Sequence, residues 1–263
     1  MSTGAVRLVA VLVPAVIAMP AAAQDSENGD GSGWITRVTI GPQAYPAFPG
    51  ADDYDIGPLV NVDRKRPGET FIFEAPDESF DYQLVDARGF SFGPLVNWEG
   101  KRSASDVGAD LPEVKFSIEP GAFLAFQPSE SFRLRAELRK GVTGHKGWIG
   151  VASADFIVRQ GDEWLFSIGP RLTWSDDRYH DAWFGVTPAA AVASGLPAYD
   201  PNGGIQAYGA TATFLTQLSP RWGIYTYARY DRLVGEAADS PIVRQLGSRD
   251  QLSGGVALSY TFD

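Results

Sequence analysis

The sequence predicts an all-β protein whose antiparallel strands run up and down around a barrel that spans a membrane. Three observations favour this fold class. Apolar residues recur with a period of two from Trp34 onward, as in residues 132–139, where even positions are apolar and odd positions are mostly charged. Several such runs reach roughly 10–15 residues, long enough to cross a bilayer at a tilt. Aromatic residues gather near the ends of the runs, as at membrane interfaces.

The first residues have the layout of a secretory signal peptide. Arg7 is the positive charge, an apolar stretch follows over residues 8–18, and the small residues Ala21 and Ala23 suit cleavage after Ala23. That stretch is too short to span a bilayer comfortably as a helix. We therefore expect three parts, which are a signal peptide at 1–23, a flexible polar leader at 24–33 and a single barrel domain at 34–263.

Turn-forming residues divide the barrel domain into about twelve strands, within a range of ten to fourteen. A soluble β-sandwich would favour strands of about five or six residues, shorter than most of these. The candidate strands are 34–45, 55–63, 69–75, 79–86, 89–99, 112–126, 131–140, 147–160, 163–175, 203–217, 221–235 and 250–262. A further pair could lie within 176–200. Short connections alternate with longer ones at 45–54, 99–111, 175–202 and 236–248, which matches short periplasmic turns and long outer loops.

Composition excludes several classes of function. The chain has 22 Lys+Arg against 32 Asp+Glu, a net charge of −10, which argues against a nucleic-acid binder. It has no cysteine, so a disulfide framework, a zinc-thiolate site and a cysteine nucleophile are all unavailable. We expect neither a cofactor nor a resident metal ion.

A short motif recurs along the strands. The pentapeptide GPLVN occurs at 57–61 and at 93–97, and the related IGP occurs at 40–42 and 168–170. In both full copies the Pro and Val share the parity expected to face lipid, while Gly, Leu and Asn share the inward parity. Since proline cannot donate to a strand ladder, each Gly-Pro is interpreted as a bulge or bend. The motif is therefore predicted to be structural.

The C-terminal third carries a more specific signal. The segments "DAWFGVTPAAAVASGLPAYDPNGG" (181–204), "YDRLVGEAADSPIV" (230–243) and "GSRDQLSGGVALSYTF" (247–262) follow one another in the order found in the MipA/OmpV family of outer-membrane proteins, which the chain resembles over about 34–262. The early "YPAFPGADDYDIGPLVNVD" (45–63) is also similar. The chain departs from the family in two places, with Glu236 where Asp is common and Asp263 after the terminal aromatic Phe262.

The resemblance identifies two sets of residues. Tyr260 and Phe262 would form the signal that the barrel-assembly machinery reads. The outer-loop residues that carry the family pattern are Ser194, Gly195, Leu196, Pro197, Tyr199, Asp239, Ser240 and Pro241.

The resemblance also implies a role. The family's founding member is described as bringing a murein-degrading lytic transglycosylase together with a bifunctional penicillin-binding protein. We therefore expect a non-enzymatic, monomeric scaffold embedded in outer-membrane lipid, with those two periplasmic enzymes as partners. A narrow polar pore or small-solute channel is the alternative.

The residues themselves offer two places for chemistry. The side chains predicted to face inward would make the lumen polar. Their charges either pair with one another or form an anion-selective constriction. Its members are Lys115, Glu119, Arg133, Arg135, Glu137, Arg139, Asp155, Arg171, Arg229 and Asp231. Among loop residues, His180 lies beside Asp176, Asp177 and Asp181 and could serve a hydrolase, the third possibility. His145 is interpreted as a solvated turn residue.

Overall fold

The computed structural model describes residues 33–262, which form one antiparallel twelve-stranded sheet that curls on itself. The predicted signal peptide, all of the leader before Gly33, and Asp263 lie outside the described residues. The strands are β1 (Ile35–Pro46), β2 (Tyr54–Lys65), β3 (Phe80–Asp81), β4 (Val85–Ala87), β5 (Phe90–Glu99), β6 (Ser117–Ser129), β7 (Phe132–Lys140), β8 (Trp148–Gln160), β9 (Trp164–Ser175), β10 (Gly204–Gln217), β11 (Trp222–Leu233) and β12 (Asp250–Phe262).

The strand order confirms the up-and-down prediction. From β5 to β12 each strand pairs with its neighbours in the chain, and β12 pairs with β1, which pairs with β2. Both β3 and β4 pair with β5, and the backbone bonds from Tyr82 N to Pro94 O and from Leu84 N to Phe92 O continue between them. The two therefore form one interrupted strand beside β5.

The two faces of the sheet are those of a membrane barrel. On β7, Arg133 and Arg135 are buried while Leu134 and Leu138 are exposed on the outside. The outward aromatic residues include Trp98 and Phe262, near strand ends. Polar side chains line the interior and apolar ones face outward, as the membrane setting requires. Among residues 33–262 no helix is long and apolar enough to cross a membrane.

The long loops carry five short helices, which the sequence did not predict. They are α1 (Ala104–Val107), α2 (Asp177–Phe184), α3 (Pro188–Ser194), α4 (Gly235–Asp239) and α5 (Pro241–Leu246). The expectation of further strands within 176–200 is wrong, because Asp176 and Thr187 cap the N-termini of α2 and α3. The helices and loop 47–53 share one apolar core, and we call this unit the outer cap.

One stretch predicted as a strand takes another place. Residues 69–79, the inner segment, form no strand ladder, so the strand expected at 69–75 is wrong as a hydrogen-bonded element. Phe71 and Phe73 are nevertheless buried while Ile72 between them is exposed, so the side chains still alternate. Within the described residues the sheet order ends at β2 on one side and at β3 on the other, and no ladder joins them.

The Gly-Pro motif marks places where neighbouring strands approach closely. The strand registers run through Pro58, Pro94 and Pro170 without a shift. Of the two predicted alternatives, bulge or bend, the bulge is therefore wrong, and the bend stays a prediction. Those prolines are exposed, and the preceding glycine faces inward. A Cβ on Gly93 would lie 1.9 Å from Tyr82 O, and one on Gly169 would lie 1.7 Å from Ala154 O. Glycine is therefore needed for the tight curl.

We predict that Gly169→Ala prevents the barrel from folding, whereas Gly150→Ala on the adjoining strand is tolerated. The added methyl at Gly169 meets a backbone carbonyl, while the nearest atom at Gly150 is 3.6 Å away. The measurement is heat-modifiable gel mobility after refolding into detergent. A normal shift for Gly169→Ala would contradict the close approach.

Candidate functional site in the barrel lumen

The structure brings nine of the ten lumen residues predicted from the sequence onto the inner face of one sheet. Lys115 is the exception, because it is exposed and precedes the first residue of β6. The nine lie on β6 to β9 and on β11: Glu119, Arg133, Arg135, Glu137, Arg139, Asp155, Arg171, Arg229 and Asp231.

The inner segment supplies a partner for six of these nine residues. Asp77 accepts from Arg171, with Nε to Oδ2 at 2.7 Å and Nη2 to Oδ1 at 3.2 Å. Thr211 Oγ1 donates to the same carboxylate at 3.1 Å, and Arg229 Nη1 lies 3.4 Å from it. Asp155 is the wall partner of Arg171, at 2.8 Å. One carboxylate of the inner segment thus joins β9, β10 and β11.

The next two residues of the inner segment, Glu78 and Ser79, make similar contacts with side chains of β7. Arg133 donates to both oxygens of Glu78, and Arg135 Nη1 lies 3.5 Å from Glu78 Oε2. Ser79 Oγ donates to Glu137 Oε2 at 2.6 Å. Beyond these, Arg139 Nη1 donates to Ser79 Oγ at 2.9 Å. Consecutive residues of the inner segment are therefore held by four strands of the wall.

Apolar and cationic contacts hold the other end of the inner segment. The guanidinium of Arg37 lies 4.0 Å from the centre of the Phe71 ring. Phe71 N donates to Asp162 Oδ1 at 3.0 Å, and Arg159 Nη1 donates to Phe71 O at 2.9 Å. Phe73 packs with Ile157. The inner segment is consequently anchored at the short-turn end as well as in the middle of the barrel.

The acidic residues of the inner segment are the functional residues that sequence reasoning missed. The run "EAPDES" at 74–79 has no period of two that would mark it as a strand, and it supplies three carboxylates within five residues. Because the predicted lumen is rich in arginine, the negative charge of this run was the signal that could have identified it as a partner of the lumen.

A polar cluster lies at the outer end of the lumen. His145 Nε2 lies 2.9 Å from Glu119 Oε1, and Gly147 N donates to His145 Nδ1 at 2.9 Å. Tyr179 of α2 donates to both oxygens of Glu99, at 3.2 and 3.3 Å. His145 is 5% exposed, so its interpretation as a solvated turn residue is wrong.

Ligand atoms of Glu99, Glu119 and His145 all lie within 4.8 Å of one another, a separation that a metal ion could bridge. However, Nδ1 of His145 accepts a hydrogen bond from Gly147 N. In a neutral imidazole the hydrogen then sits on Nε2, which donates to Glu119. The geometry is that of a hydrogen-bonded junction between the wall and α2.

Arg102 organises the outer cap. It is 2% exposed and donates from Nη1 to Trp183 O and from Nη2 to Ala182 O at 3.2 Å, at the C-terminal end of α2. Nη2 also lies 3.4 Å from Pro112 O. None of the described ion pairs joins Arg102 to a carboxylate. Burial lowers the pKa of its guanidinium to about 10. Backbone carbonyls thus accept from both terminal nitrogens of this buried cation, while its Nε has no hydrogen-bond partner among the described residues.

The family-pattern residues of the outer loops have structural contacts. Tyr199 OH donates to Glu236 O at 2.8 Å. Ser240 caps α5 and donates to Phe184 O at 2.7 Å, while Asp239 pairs with Arg249 at 3.0 Å. Ser194 and Gly195 end α3, and Pro241 begins α5. Leu196 is buried in the core of the outer cap, and Pro197 after it is exposed.

His180 is buried within the outer cap. Its Nδ1 donates to Asn202 O at 2.6 Å, and its ring meets that of Phe184 edge-on. Burial lowers the pKa of His180 below its ordinary value, because the charged imidazolium would lose its hydration. With one nitrogen bound to a carbonyl and the ring 1% exposed, His180 has no open path to a substrate.

The outer cap is therefore expected to loosen as pH falls. The folded pKa of His180 lies below the unfolded value of about 6.5, so protonation favours the unfolded cap, and stability present above that value is lost below it. Amide hydrogen exchange of α2 at pH 7.5 and pH 5, corrected for intrinsic rates, measures this. In His180→Asn, whose amide can still donate to Asn202 O, the loss should vanish. An equal loss in that variant would assign the effect to other groups.

The predicted assembly signal lies on β12 at the edge of the barrel. The ring of Tyr260 is 4.8 Å from that of Trp222 and 4.7 Å from that of Phe262. Phe262 is half exposed and pairs with Thr36 across the junction of the first and last strands.

Proteins similar to this chain are known both by sequence and by structure. Curated relatives named MltA-interacting protein, from Escherichia coli and Shigella flexneri, are each 33% identical over 78 residues, which is 28% of this chain and 30% of each relative. The match thus spans under a third of their length. Among solved structures, the KdgM porin is 9% identical with a TM-score of 0.38, covering 88% of this chain and all of that one. OprG from Pseudomonas aeruginosa is 7% identical with a TM-score of 0.28, covering 88% and 97%.

Residues 38–262 match the family described as MltA-interacting protein MipA. That stretch takes in nearly the whole sheet, the inner segment and the outer cap. The chain is an outer-membrane β-barrel that belongs to the MipA family.

Proposed function

We propose that this barrel is a non-enzymatic membrane anchor for a periplasmic cell-wall enzyme of the lytic transglycosylase class. The observation that carries the proposal is the occupied lumen. The inner segment lies in the interior, held by ion pairs to β7, β9 and β11, and the outer cap packs over the outer end. A barrel obstructed in this way acts through its surfaces, and the relatives' name supports this partner.

The partner would bind the end that carries the short turns, since this end faces the periplasm in barrels of this kind. The end of β2 and the turn that follows it present two exposed arginines there, Arg64 and Arg66. Lys65 between them pairs with Asp162 of the neighbouring turn at 2.6 Å, and Arg66 lies over the ring of Trp34. These contacts hold Lys65 and Arg66 in place at the rim, beside the exposed Arg64. A penicillin-binding protein, expected from the family resemblance, would join through the same enzyme.

Surface plasmon resonance with the purified lytic transglycosylase of the same bacterium tests the proposal. Arg64→Glu/Arg66→Glu should weaken binding by about tenfold or more, because charged rim contacts steer association. The matched control reverses two exposed arginines of the outer cap, Arg178→Glu/Arg244→Glu, and should bind as the wild type does. Absence of binding by the wild type, or equal binding by both variants, would refute the anchor role.

A regulated passage is a second candidate, favoured by one observation. The inner segment is held by side chains and forms no strand ladder, so its release breaks ion pairs and leaves the wall intact. In this second proposal the barrel would conduct small solutes only after that release.

A further inference from the structure

We propose that Arg133, Arg135, Arg171 and Arg229 form a binding site for small solutes with two carboxylates, and that Asp77 and Glu78 occupy this site in the described state. We call these four residues the arginine site. The inference goes beyond the anchor role, since it assigns a ligand class to the lumen.

Asp77 is held as a bound carboxylate would be. Arg171 presents Nε and Nη2 to its two oxygens, at 2.7 and 3.2 Å, which is the side-on fork by which a guanidinium recognises a carboxylate. The hydroxyl of Thr211, 1% exposed, donates to Oδ2 at 3.1 Å. Arg229 completes the shell at 3.4 Å.

Glu78 has an equivalent shell on the neighbouring part of the wall. The two terminal nitrogens of Arg133, Nη1 and Nη2, donate to its two oxygens, which makes a second fork. Arg135 lies beside Oε2 at 3.5 Å, and all three side chains are less than 10% exposed. The arginine site thus receives two carboxylates carried on adjacent residues.

The ion pairs show what the arginine site loses when the inner segment is withdrawn. Among the described ion pairs, Glu78 is the carboxylate partner of Arg133. Arg171 would keep Asp155, Arg229 would keep Asp231, and Arg135 would keep Glu137 and Asp81. Withdrawal therefore leaves Arg133 without an ion pair and takes one carboxylate from each of the other three arginines. Because an unpaired buried charge is costly, a solute that returns two carboxylates to these positions is the chemistry that compensates for the loss.

The fold also offers a place for the displaced inner segment. Strands β2 and β3–β4 run in the same direction at the two ends of the sheet order, because nine strands of alternating direction lie between them. Closing an antiparallel barrel there requires one strand of opposite direction. The inner segment connects the end of β2 to the start of β3, so its chain direction is opposite to theirs, as this closure requires. Unpaired edges are costly in lipid, so pairing with them would offset release.

The test uses a variant in which the internal occupant is neutral, Asp77→Asn/Glu78→Gln. Its ligand is the peptide acetyl-Ala-Pro-Asp-Glu-Ser-amide, which reproduces residues 75–79, with acetyl-Ala-Pro-Asn-Gln-Ser-amide as the uncharged probe. Isothermal titration calorimetry on the refolded barrel should show the acidic peptide binding about tenfold more tightly to the variant than to the wild type, since the internal competitor is removed.

The matched control is Glu69→Gln/Glu74→Gln, which removes two carboxylates of the same segment that have no ion pair among the described residues. It should bind the acidic peptide as weakly as the wild type does. Arg133→Gln/Arg171→Gln added to the neutral variant should abolish binding. Equal affinity for the two peptides, or no binding to a folded neutral variant, would overturn the proposal.

A second measurement leaves Asp77, Glu78 and the arginines intact. Because the chain has no cysteine, Glu74→Cys gives a single attachment point for a nitroxide label. Electron paramagnetic resonance should show the label changing mobility when the acidic peptide is added in excess. The uncharged peptide should leave the spectrum unaltered. A spectrum that neither peptide changes would count against displacement, whatever the stability of the neutral variant.

Discussion

Replacing Arg102 with methionine is expected to destabilise the outer cap by roughly 3 kcal/mol while leaving the barrel wall folded. The guanidinium donates to three backbone carbonyls, two of them at the end of α2, and methionine would leave these acceptors buried and unpaired. Each buried acceptor without a donor costs about 1–3 kcal/mol, and solvent entry on loosening recovers part of that.

Hydrogen exchange of α2 measures the loss, and heat-modifiable gel mobility reports the wall separately. Arg178→Met is the matched control, because Arg178 lies on the same helix and is exposed. It should change exchange little. If Arg102→Met and Arg178→Met behaved alike, the buried guanidinium would not hold the cap together.

The second large effect is expected from Arg171→Met. Arg171 is paired with Asp77 on the inner segment and with Asp155 on the wall, and all three side chains are almost fully buried. Removing the cation leaves Asp155 without its ion-pair partner and Asp77 with only the more distant Arg229, so we expect a loss of roughly 3–5 kcal/mol in the free energy of unfolding. Urea titration of the refolded barrel, followed by tryptophan fluorescence, measures it.

A double-mutant cycle separates the partners. If Asp77 is bound by Arg171, then Asp77→Asn in the Arg171→Met background should cost far less than it does alone. Arg232→Met is the control on an adjoining pair, since Arg232 and Asp250 are both substantially exposed at 2.6 Å, and exposed pairs contribute at most about 1 kcal/mol. If the losses in the free energy of unfolding for the Arg171 and Asp77 substitutions were additive, the two side chains would not be in contact.

The barrel wall could be predicted from the sequence because its physics is local. A lipid-facing strand imposes a period of two on its own residues, so the alternation along 132–139 identifies β7 and its inward arginines without knowledge of any neighbour. The same local reasoning gave the short turns and the long loops. It wrongly allowed a bulge at each Gly-Pro, since only the paired strands show that the register continues.

The inner segment and the outer cap depend on contacts distant in sequence. Asp77 meets Arg171 and Thr211, 94 and 134 positions away, and nothing within 69–79 specifies those partners. His145 was misplaced for the same reason, because Glu119 and Gly147 surround it only once the loop has folded over the wall. The short helices of the cap gain their stability from a shared core, which a local period does not reveal.

Single-channel conductance in a planar bilayer tests most directly whether the inner segment closes the lumen. The wild-type barrel, shown to be folded by its gel mobility, should be silent, and Asp77→Asn/Glu78→Gln should open because the ion pairs to Arg133 and Arg171 are gone. Glu69→Gln/Glu74→Gln should stay silent. Steady wild-type openings of the same size as those of the neutral variant would show that the inner segment does not obstruct the barrel.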